Sequence, residues 1–138
     1  MTLELHATPE EVMRAVETFE KFAREHGASE KAICGLMLAL EECGSNVVNH
    51  ALQGKASEKF QVTMERTGDA FVIQLRDRGP EYDPTLPPEG PSQPKDEDQC
   101  GGWGIQLVRR YTDEIRYARK GGENILRLIK RVGEEGKN

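Results

Sequence analysis

The sequence predicts an α+β fold in which a mostly antiparallel sheet carries helices on one face. Two patterns lead to this prediction. Apolar residues recur at helical spacing in the first third of the chain, and they alternate with polar residues in the middle and near the end. The resulting order is a strand, two helices, a hairpin, a long loop, a helix and two strands, which is typical of helices layered on a sheet. A chain of 138 residues suits one core, so residues 1–138 are predicted to form a single domain.

A short strand opens the chain, because Leu3 and Leu5 alternate with polar residues. The start of a helix follows, with a capping threonine, a proline suited to the first helical position and a capping-box glutamate, at Thr8, Pro9 and Glu11. Apolar residues then recur every three or four positions until Gly27. A second helix is predicted from a cap at Ser29 to about Leu52.

A hairpin and a long loop occupy the middle of the chain. Apolar residues alternate on both sides of a turn at 67–69, namely Phe60, Val62, Met64, Phe71, Ile73 and Leu75. The segment 78–99 that follows is rich in proline and charge and has few large apolar side chains. A loop of this length inside a compact domain is usually functional or disordered.

The last third is predicted to hold a helix and two strands. The glycine-rich segment 101–104 leads into a short helix, 105–111. A strand around 115–117, a turn at 120–123 and a final strand over 125–132 follow. The remaining residues, 133–138, are predicted to form a frayed tail.

Composition excludes several classes of protein. With 24 acidic and 19 basic residues the net charge is -5, which argues against nucleic acid as the main partner. A mean hydropathy of -0.67 and the lack of a long apolar run predict no membrane span, and the first residues do not form a signal peptide. Three widely spaced cysteines do not form a disulfide framework, so a reduced, cytoplasmic protein is predicted.

The face of the second helix carries the strongest chemical signal. At 100° per residue with Glu42 at zero, Asn46 falls at about 40°, Asn49 at about -20° and His50 at about 80°. The apolar residues of the same helix lie near the opposite side: Ile33, Leu40, Val47 and Ala51. Oxygen ligands of this kind suit Mg²⁺. The alternative is a merely solvated face, although asparagine is a poor helix former for that purpose.

Two glycine-bearing segments are further candidates. In 77–80, Asp77 is suited to accept a hydrogen bond from a base or amine, with Gly79 allowing close approach; the alternative is an ordinary turn. In 101–104, backbone amides at a helix start suit phosphate, and the alternative is a flexible loop end. The chain carries neither a P-loop nor a dinucleotide fingerprint, and the scattered histidines and cysteines predict no zinc site.

The order of these motifs resembles the ATP-binding domain of the GHKL superfamily, which includes gyrase, histidine kinases and MutL. The motifs are E-x-x-x-N on a helix, D-x-G after a strand, and G-x-G opening a helix after a long loop. Within the superfamily, EECGSNVVNHA and DRGPEYDP are most similar to stand-alone anti-sigma-factor serine kinases. The resemblance covers roughly 3–132. It implies the Bergerat ATP-binding fold, a two-layer α/β sandwich with helices over one face of a mixed sheet.

The resemblance also implies roles for individual residues. Glu42 would be the general base, Asn46 would hold Mg²⁺, and Asp77 would accept a hydrogen bond from the adenine amino group. Segment 78–101 would be a lid over ATP. The residues implied in nucleotide binding are Asn46, Asn49, Asp77, Gly79, Gly102, Trp103, Gly104 and Ile105. Two positions depart from the family pattern, because Gly122–Asn124 lacks the threonine that supports the aspartate and Glu81 replaces a second glycine.

The implied function is an ATP- and Mg²⁺-dependent serine/threonine protein kinase and anti-sigma factor. Its partner would be an anti-anti-sigma protein of the STAS class, its second client would be a sigma factor, and it would be a homodimer. Two alternatives stay open. One is a nucleotide-responsive binding module that transfers no phosphate, and the other is an ATPase fragment of a larger sensor or response protein.

Overall fold

A computed structural model describes residues 1–86 and 101–132, and of residues 101–103 it describes the backbone alone. The predicted tail and most of the predicted lid therefore lie outside the described residues. The elements, in chain order, are β1 (Thr2–His6), α1 (Pro9–Glu25), α2 (Glu30–Asn46), a π-helical turn (Val47–Ala51), β2 (Lys59–Thr67), β3 (Ala70–Asp77), α3 (Gly101–Tyr111), β4 (Glu114–Lys120) and β5 (Glu123–Arg131).

The five strands form one sheet in the order β1-β2-β3-β5-β4. All four pairings are antiparallel, so the predicted mostly antiparallel sheet has no parallel pair among the described strands. The last strand inserts between β3 and β4 instead of lying at the edge. This insertion places Asn124 of β5 directly opposite Asp77 of β3.

One face of the sheet is buried beneath the helices, which confirms the predicted α+β layering. Alternate apolar residues of β2, β3 and β5 are buried there together with Leu5 of β1, namely Leu5, Phe60, Val62, Met64, Phe71, Ile73, Leu75, Leu126 and Leu128. Burying each such side chain contributes roughly 1.5–3 kcal/mol. Helix α2 packs against α1 on one side and α3 on the other, and the open face of the sheet carries polar residues such as Gln61 and Arg127.

The start of α1 follows the predicted capping pattern with one difference. The Thr8 hydroxyl accepts a hydrogen bond from the Glu11 amide at 3.2 Å. The Glu11 carboxylate, however, accepts from the amide of His6 at 3.0 Å rather than from Thr8 itself. The C-terminal end of α1 is connected to α2 through Gly27, whose φ of 87° favours glycine.

The second helix reaches the predicted end but changes its winding on the way. After Asn46 it continues as the π-helical turn, in which the Leu52 amide donates to the Val47 carbonyl at 2.8 Å. The projection at 100° per residue therefore holds as far as Asn46 and does not apply to Asn49 and His50. Helix α3 also differs, because it begins at Gly101 and so includes the glycines expected to precede it. No helix in the described ranges is long and apolar enough to cross a membrane.

Candidate active site

A narrow cavity of about 20 Å³ lies between α2, the end of β3 and the final strands. It has room for about one water molecule. Its walls are formed by Cys43, Asn46, Val47, Ala51, Leu75, Asp77, Tyr82, Pro84, Tyr117, Asn124 and Leu126. Two residues that were singled out from separate motifs, Asn46 and Asp77, thus meet at one cavity.

Asp77 is the buried anion of this cavity, with 4% of its surface exposed. Its Oδ1 accepts hydrogen bonds from the Gly79 amide at 2.8 Å and from Asn124 Nδ2 at 2.9 Å. Its Oδ2 has no hydrogen-bond partner in the part of the chain that the structure describes. Burial raises the pKa of Asp77, while the bonds from Asn124 and Gly79 and the charge of Arg119 oppose that rise. The side chain therefore offers one acceptor oxygen at the cavity wall.

Position 79 requires glycine because the backbone of Ala51 lies beside it. A Cβ there would lie 3.0 Å from the carbonyl carbon of Ala51 and still closer to its oxygen. Ala51 is the last residue of the π-helical turn, so the loop after β3 packs directly on the end of the second helix. The predicted close approach at Gly79 is thus an approach to protein backbone in this structure.

Asn124 links the loop after β3 to Asp77, and sequence reasoning missed this role. Besides donating to Asp77, its Nδ2 donates to the Pro80 carbonyl at 2.9 Å. Its Oδ1 accepts from the Tyr82 amide at 3.1 Å, from Arg119 Nη1 at 3.2 Å and from the Tyr117 hydroxyl. The sequence marked the position only by its lack of threonine. The signal that could have revealed it is the register of β5 against β3, which a single sequence does not give.

Asn46 is the last residue of α2 and presents an unpaired carboxamide. It is 7% exposed, and its side chain has no hydrogen-bond partner among the described residues. An unpaired buried amide is costly unless a ligand or water completes it. Its oxygen is a suitable ligand for Mg²⁺, which typically takes few protein ligands and completes its shell with phosphate oxygens and water. No cluster of three or more His, Cys, Asp or Glu suited to a metal is found in residues 1–86 and 101–132.

Glu42 lies one helical turn before Asn46 and contacts the first turn of α3. A Cβ at Gly104 would lie 2.9 Å from Glu42 Cγ and still closer to its carboxylate. Burial and, to a smaller extent, the negative charge of Glu41 raise the pKa of Glu42. A partly buried carboxylate with a raised pKa, next to the start of a helix, is a suitable acceptor for a proton.

The other residues predicted on α3 lie in its first two turns. Gly102 and Trp103 follow directly after the first residue of the helix, where backbone amides have no helical partner. Ile105 is partly buried and packs against the core. The structure therefore brings the start of α3 to Glu42, and Ile105 has a packing role there.

The predicted residues of the π-helical turn lie away from the cavity wall. Asn49 and His50 are both exposed. The His50 ring stacks on Tyr82 with ring centroids 5.4 Å apart and an interplanar angle of 19°. Neither Asn49 nor His50 is among the residues that line the cavity, so a nucleotide contact of Asn49 remains a prediction.

A two-layer sandwich with an acceptor carboxylate at a strand end, and Glu and Asn on the facing helix, defines the GHKL class of ATP-binding domains. The chain belongs to the family of histidine kinase-like ATPase domains, whose pattern matches residues 5–130. That range contains all three motifs on which the resemblance was based.

Similar proteins carry kinase names. The serine/threonine-protein kinase BtrW of Bordetella bronchiseptica is 29% identical over 135 residues, covering 97% of this chain and 95% of that protein. The serine-protein kinase RsbW of Oceanobacillus iheyensis is 28% identical over 138 residues, covering 96% of this chain and 87% of that protein. The predicted resemblance to anti-sigma-factor serine kinases is thereby confirmed.

Solved structures share the fold. The structure of the RsbU and RsbW domains of Rv1364c from Mycobacterium tuberculosis matches with a TM-score of 0.63 at 18% identity. It covers 96% of this chain, which spans 32% of that longer chain. The SiaB–SiaC complex from Pseudomonas aeruginosa gives a TM-score of 0.69 at 13% identity over 94% of this chain and 88% of that one. At these identities the likeness concerns the fold alone.

Proposed function

We propose that this chain is an ATP- and Mg²⁺-dependent kinase that phosphorylates a serine or threonine on a STAS-class anti-anti-sigma protein and otherwise binds a sigma factor. One observation carries the proposal: Asp77 and Asn46 line the same cavity, both are buried, and among the described residues neither Oδ2 of Asp77 nor the side chain of Asn46 has a hydrogen-bond partner. The two relatives named as protein kinases support the phosphotransfer, because each is similar over nearly its whole length.

Recognition of the base is assigned to Asp77. Its unpaired Oδ2 is suited to accept a hydrogen bond from the amino group of adenine. Guanine carries a carbonyl oxygen at the corresponding ring position, and two acceptors would face each other. The cavity has room for about one water, so a base enters only when Tyr82 and Pro84 of its wall move outward. Loop motion of this kind accompanies ligand binding in many enzymes.

Recognition of the phosphates is assigned to the start of α3. The amides of Gly102 and Trp103, within the first three residues of the helix, have no partner inside the helix, and the positive end of the helix dipole favours an anion. Gly104 follows as the fourth residue and adds no side chain to the same turn. Asn46 would hold Mg²⁺ through its side-chain oxygen. When bound, Mg²⁺ would neutralise charge on the phosphates.

Proton transfer is assigned to Glu42. As the partner's hydroxyl oxygen forms a bond to the γ-phosphorus, the bond from that phosphorus to the bridging oxygen breaks and ADP leaves. The hydroxyl proton passes to the Glu42 carboxylate, whose pKa burial raises towards the range where a base works at neutral pH. Contact with Gly104 keeps this carboxylate beside the proposed phosphate-binding amides.

The partner class and setting are inferred from the resemblance and the relatives' names. A kinase that holds a sigma factor until its STAS partner is dephosphorylated would act as a partner switch in transcription. We infer a cytoplasmic homodimer on the same ground.

The test is to mix the protein with γ-labelled ATP, Mg²⁺ and a panel of STAS-domain proteins from the same organism. We expect one STAS protein to become labelled on serine or threonine, with no transfer when EDTA replaces Mg²⁺ and with transfer slower by about 10²–10⁴-fold when Glu42→Gln replaces the wild type. Saturable ATP binding without transfer to any STAS protein would instead support a nucleotide-responsive binding module. No ATP binding would overturn the proposal.

A further inference from the structure

We propose that Asn124 is a positioning residue that determines base specificity: it holds the Asp77 carboxylate in the orientation that reads the adenine amino group and ties the loop after β3 to that carboxylate. This inference rests on the proposed ATP binding at the same cavity. It concerns a residue that neither touches the phosphates nor takes part in proton transfer.

The position of Asn124 follows from the sheet. Antiparallel pairing of β3 and β5 sets Asn124 directly opposite Asp77, although the two are 47 residues apart in the chain. Asn124 is 4% exposed, so its carboxamide does not form its hydrogen bonds with bulk solvent. A buried amide at this site must be satisfied by protein groups, and it is.

The hydrogen bonds leave only one orientation for the carboxamide. Both N–H groups are in use, one to Asp77 Oδ1 and one to the Pro80 carbonyl, each at 2.9 Å. The oxygen accepts from three donors, on Tyr82, Tyr117 and Arg119. Exchanging the nitrogen and the oxygen would oppose acceptor to acceptor at Asp77 and Pro80 and donor to donor at the Tyr82 amide and Arg119. Only the Tyr117 hydroxyl could change its role, so a flip would lose four of the five bonds.

This arrangement determines which oxygen of Asp77 is available. Oδ1 accepts from both Asn124 and the Gly79 amide, so its lone pairs are occupied and its position is fixed. Oδ2 is left as the acceptor for a ligand. The donated hydrogen bond also favours the ionised carboxylate against the effect of burial on its pKa. Without Asn124, Oδ1 of Asp77 would keep only the hydrogen bond from the Gly79 amide, so the carboxylate would be held less firmly and would be easier to protonate.

The same side chain connects base recognition to the wall of the cavity. Tyr82 donates its amide to Asn124, and its ring lines the cavity and stacks on His50. Arg119 reinforces the link by donating to the Gly79 carbonyl at 2.7 Å. A threonine hydroxyl has a single donor and could not serve both Asp77 and Pro80. Asparagine here thus does more than replace a missing hydroxyl.

The experiment compares ATP with purine ribonucleoside triphosphate, an analogue that lacks the adenine amino group. Calorimetry would give both affinities for wild type and Asn124→Ala, after thermal unfolding has shown that the variant folds. We expect wild type to prefer ATP, and the variant to lose about tenfold in ATP affinity, as for a hydrogen bond to a charged group, with analogue affinity unchanged. A merely structural role would lower both affinities together.

A second variant keeps the test decisive if Asn124→Ala does not fold. Asn124→Thr retains one donor for Asp77 but loses the fixed acceptor for the Tyr82 amide. We expect it to keep the preference for ATP over the analogue and to exchange the Tyr82 amide proton faster than wild type in NMR. Equal losses for both nucleotides in Asn124→Ala, or unchanged Tyr82 exchange in Asn124→Thr, would overturn the inference alone. Wild type that binds neither nucleotide would overturn the proposed function itself.

Discussion

The carboxylate of Glu42 lies directly against Gly104 at the first turn of α3. A Cβ at position 104 would overlap it, so the carboxylate can occupy this position only because residue 104 is glycine. The glycine was predicted for its bare amide. In the structure it is the fourth residue of the helix, after the three whose amides have no helical partner, and it leaves the space in which the proposed base lies.

The Gly104→Ala variant should therefore separate activity from stability. The overlapping atoms are the end of a flexible side chain, so Glu42 can rotate away, and alanine is the better helix former. We expect the free energy of unfolding to change by less than about 1 kcal/mol. Phosphotransfer should fall by roughly 10²-fold, because the proposed base is displaced by about an ångström or more. Thermal unfolding and transfer of labelled phosphate measure the two effects.

Gly35→Ala is the matched control for that variant. A Cβ at Gly35 would meet Tyr111 of α3 at 2.6 Å, so it disturbs the same pair of helices two turns away from Glu42. We expect a smaller loss of phosphotransfer than in Gly104→Ala. Equal losses in the two variants would mean that helix packing, and not the position of Glu42, is responsible.

Gly79→Ala should behave in the opposite way and damage the fold. Its Cβ would overlap the Ala51 backbone, which cannot rotate aside as a side chain can. We expect a loss of roughly 1–3 kcal/mol in the free energy of unfolding, as for overpacking, measured by denaturant titration. A loss of less than about 1 kcal/mol would show that the loop after β3 yields easily to the added side chain.

Glu42→Gln should make the protein more stable at neutral pH. Burial raises the pKa of Glu42 in the folded state, so the folded state binds the proton more tightly than the unfolded state. Below the ordinary glutamate pKa of about 4.3, Glu42 is protonated in both states and does not lower the free energy of unfolding of the wild type. This free energy falls as pH rises through the raised pKa. We expect the variant to melt roughly 1–3 °C higher at pH 7 and to match the wild type near pH 3.

Glu41→Gln is the control for that comparison. The charge of Glu41 contributes the smaller part of the rise in the pKa of Glu42, so removing it should reproduce only a fraction of the stabilisation. A wild type more stable than Glu42→Gln at pH 7, or a difference that persists at pH 3, would contradict the assigned direction.

Asn46→Ala and Glu42→Gln should separate binding from chemistry on one helix. We expect Asn46→Ala to weaken Mg²⁺-dependent ATP binding, because a proposed oxygen ligand is lost. Glu42→Gln should retain most of the ATP affinity while phosphotransfer falls by about 10²–10⁴-fold, the usual contribution of a general base. Calorimetry with ATP and Mg²⁺, together with labelling of the STAS partner, distinguishes the two. If both changes are silent, this face of α2 is only solvated.

Asp77→Asn should weaken ATP binding by roughly 1.5–3 kcal/mol, because a charged acceptor becomes a neutral one. The wild type should bind GTP poorly. Calorimetry with the two nucleotides is the measurement, and equal affinities of the wild type for ATP and GTP would contradict the adenine assignment of Asp77.

The sequence by itself determined the order of the elements and the buried faces of the helices and strands. Both follow from local rules: alternation with a period of two in β2 and β3, a period of 3.6 in α1, and hydrogen bonds that Thr8 and Ser29 make within their own turn. The motif residues Glu42, Asn46 and Asp77 were also visible, since each lies at a predictable point of a helix or strand.

Only the tertiary structure decided how those points meet. The helical projection assumes one rotation per residue, and the π-helical turn ends that assumption after Asn46, so the projection does not give the directions of Asn49 and His50. The role of Asn124 depends on β5 entering the sheet beside β3, a pairing between residues 47 positions apart. The contact of Glu42 with Gly104 likewise depends on the packing of two helices. Local periodicity contains no information about such distant contacts, because they are determined by how the whole chain fills its core.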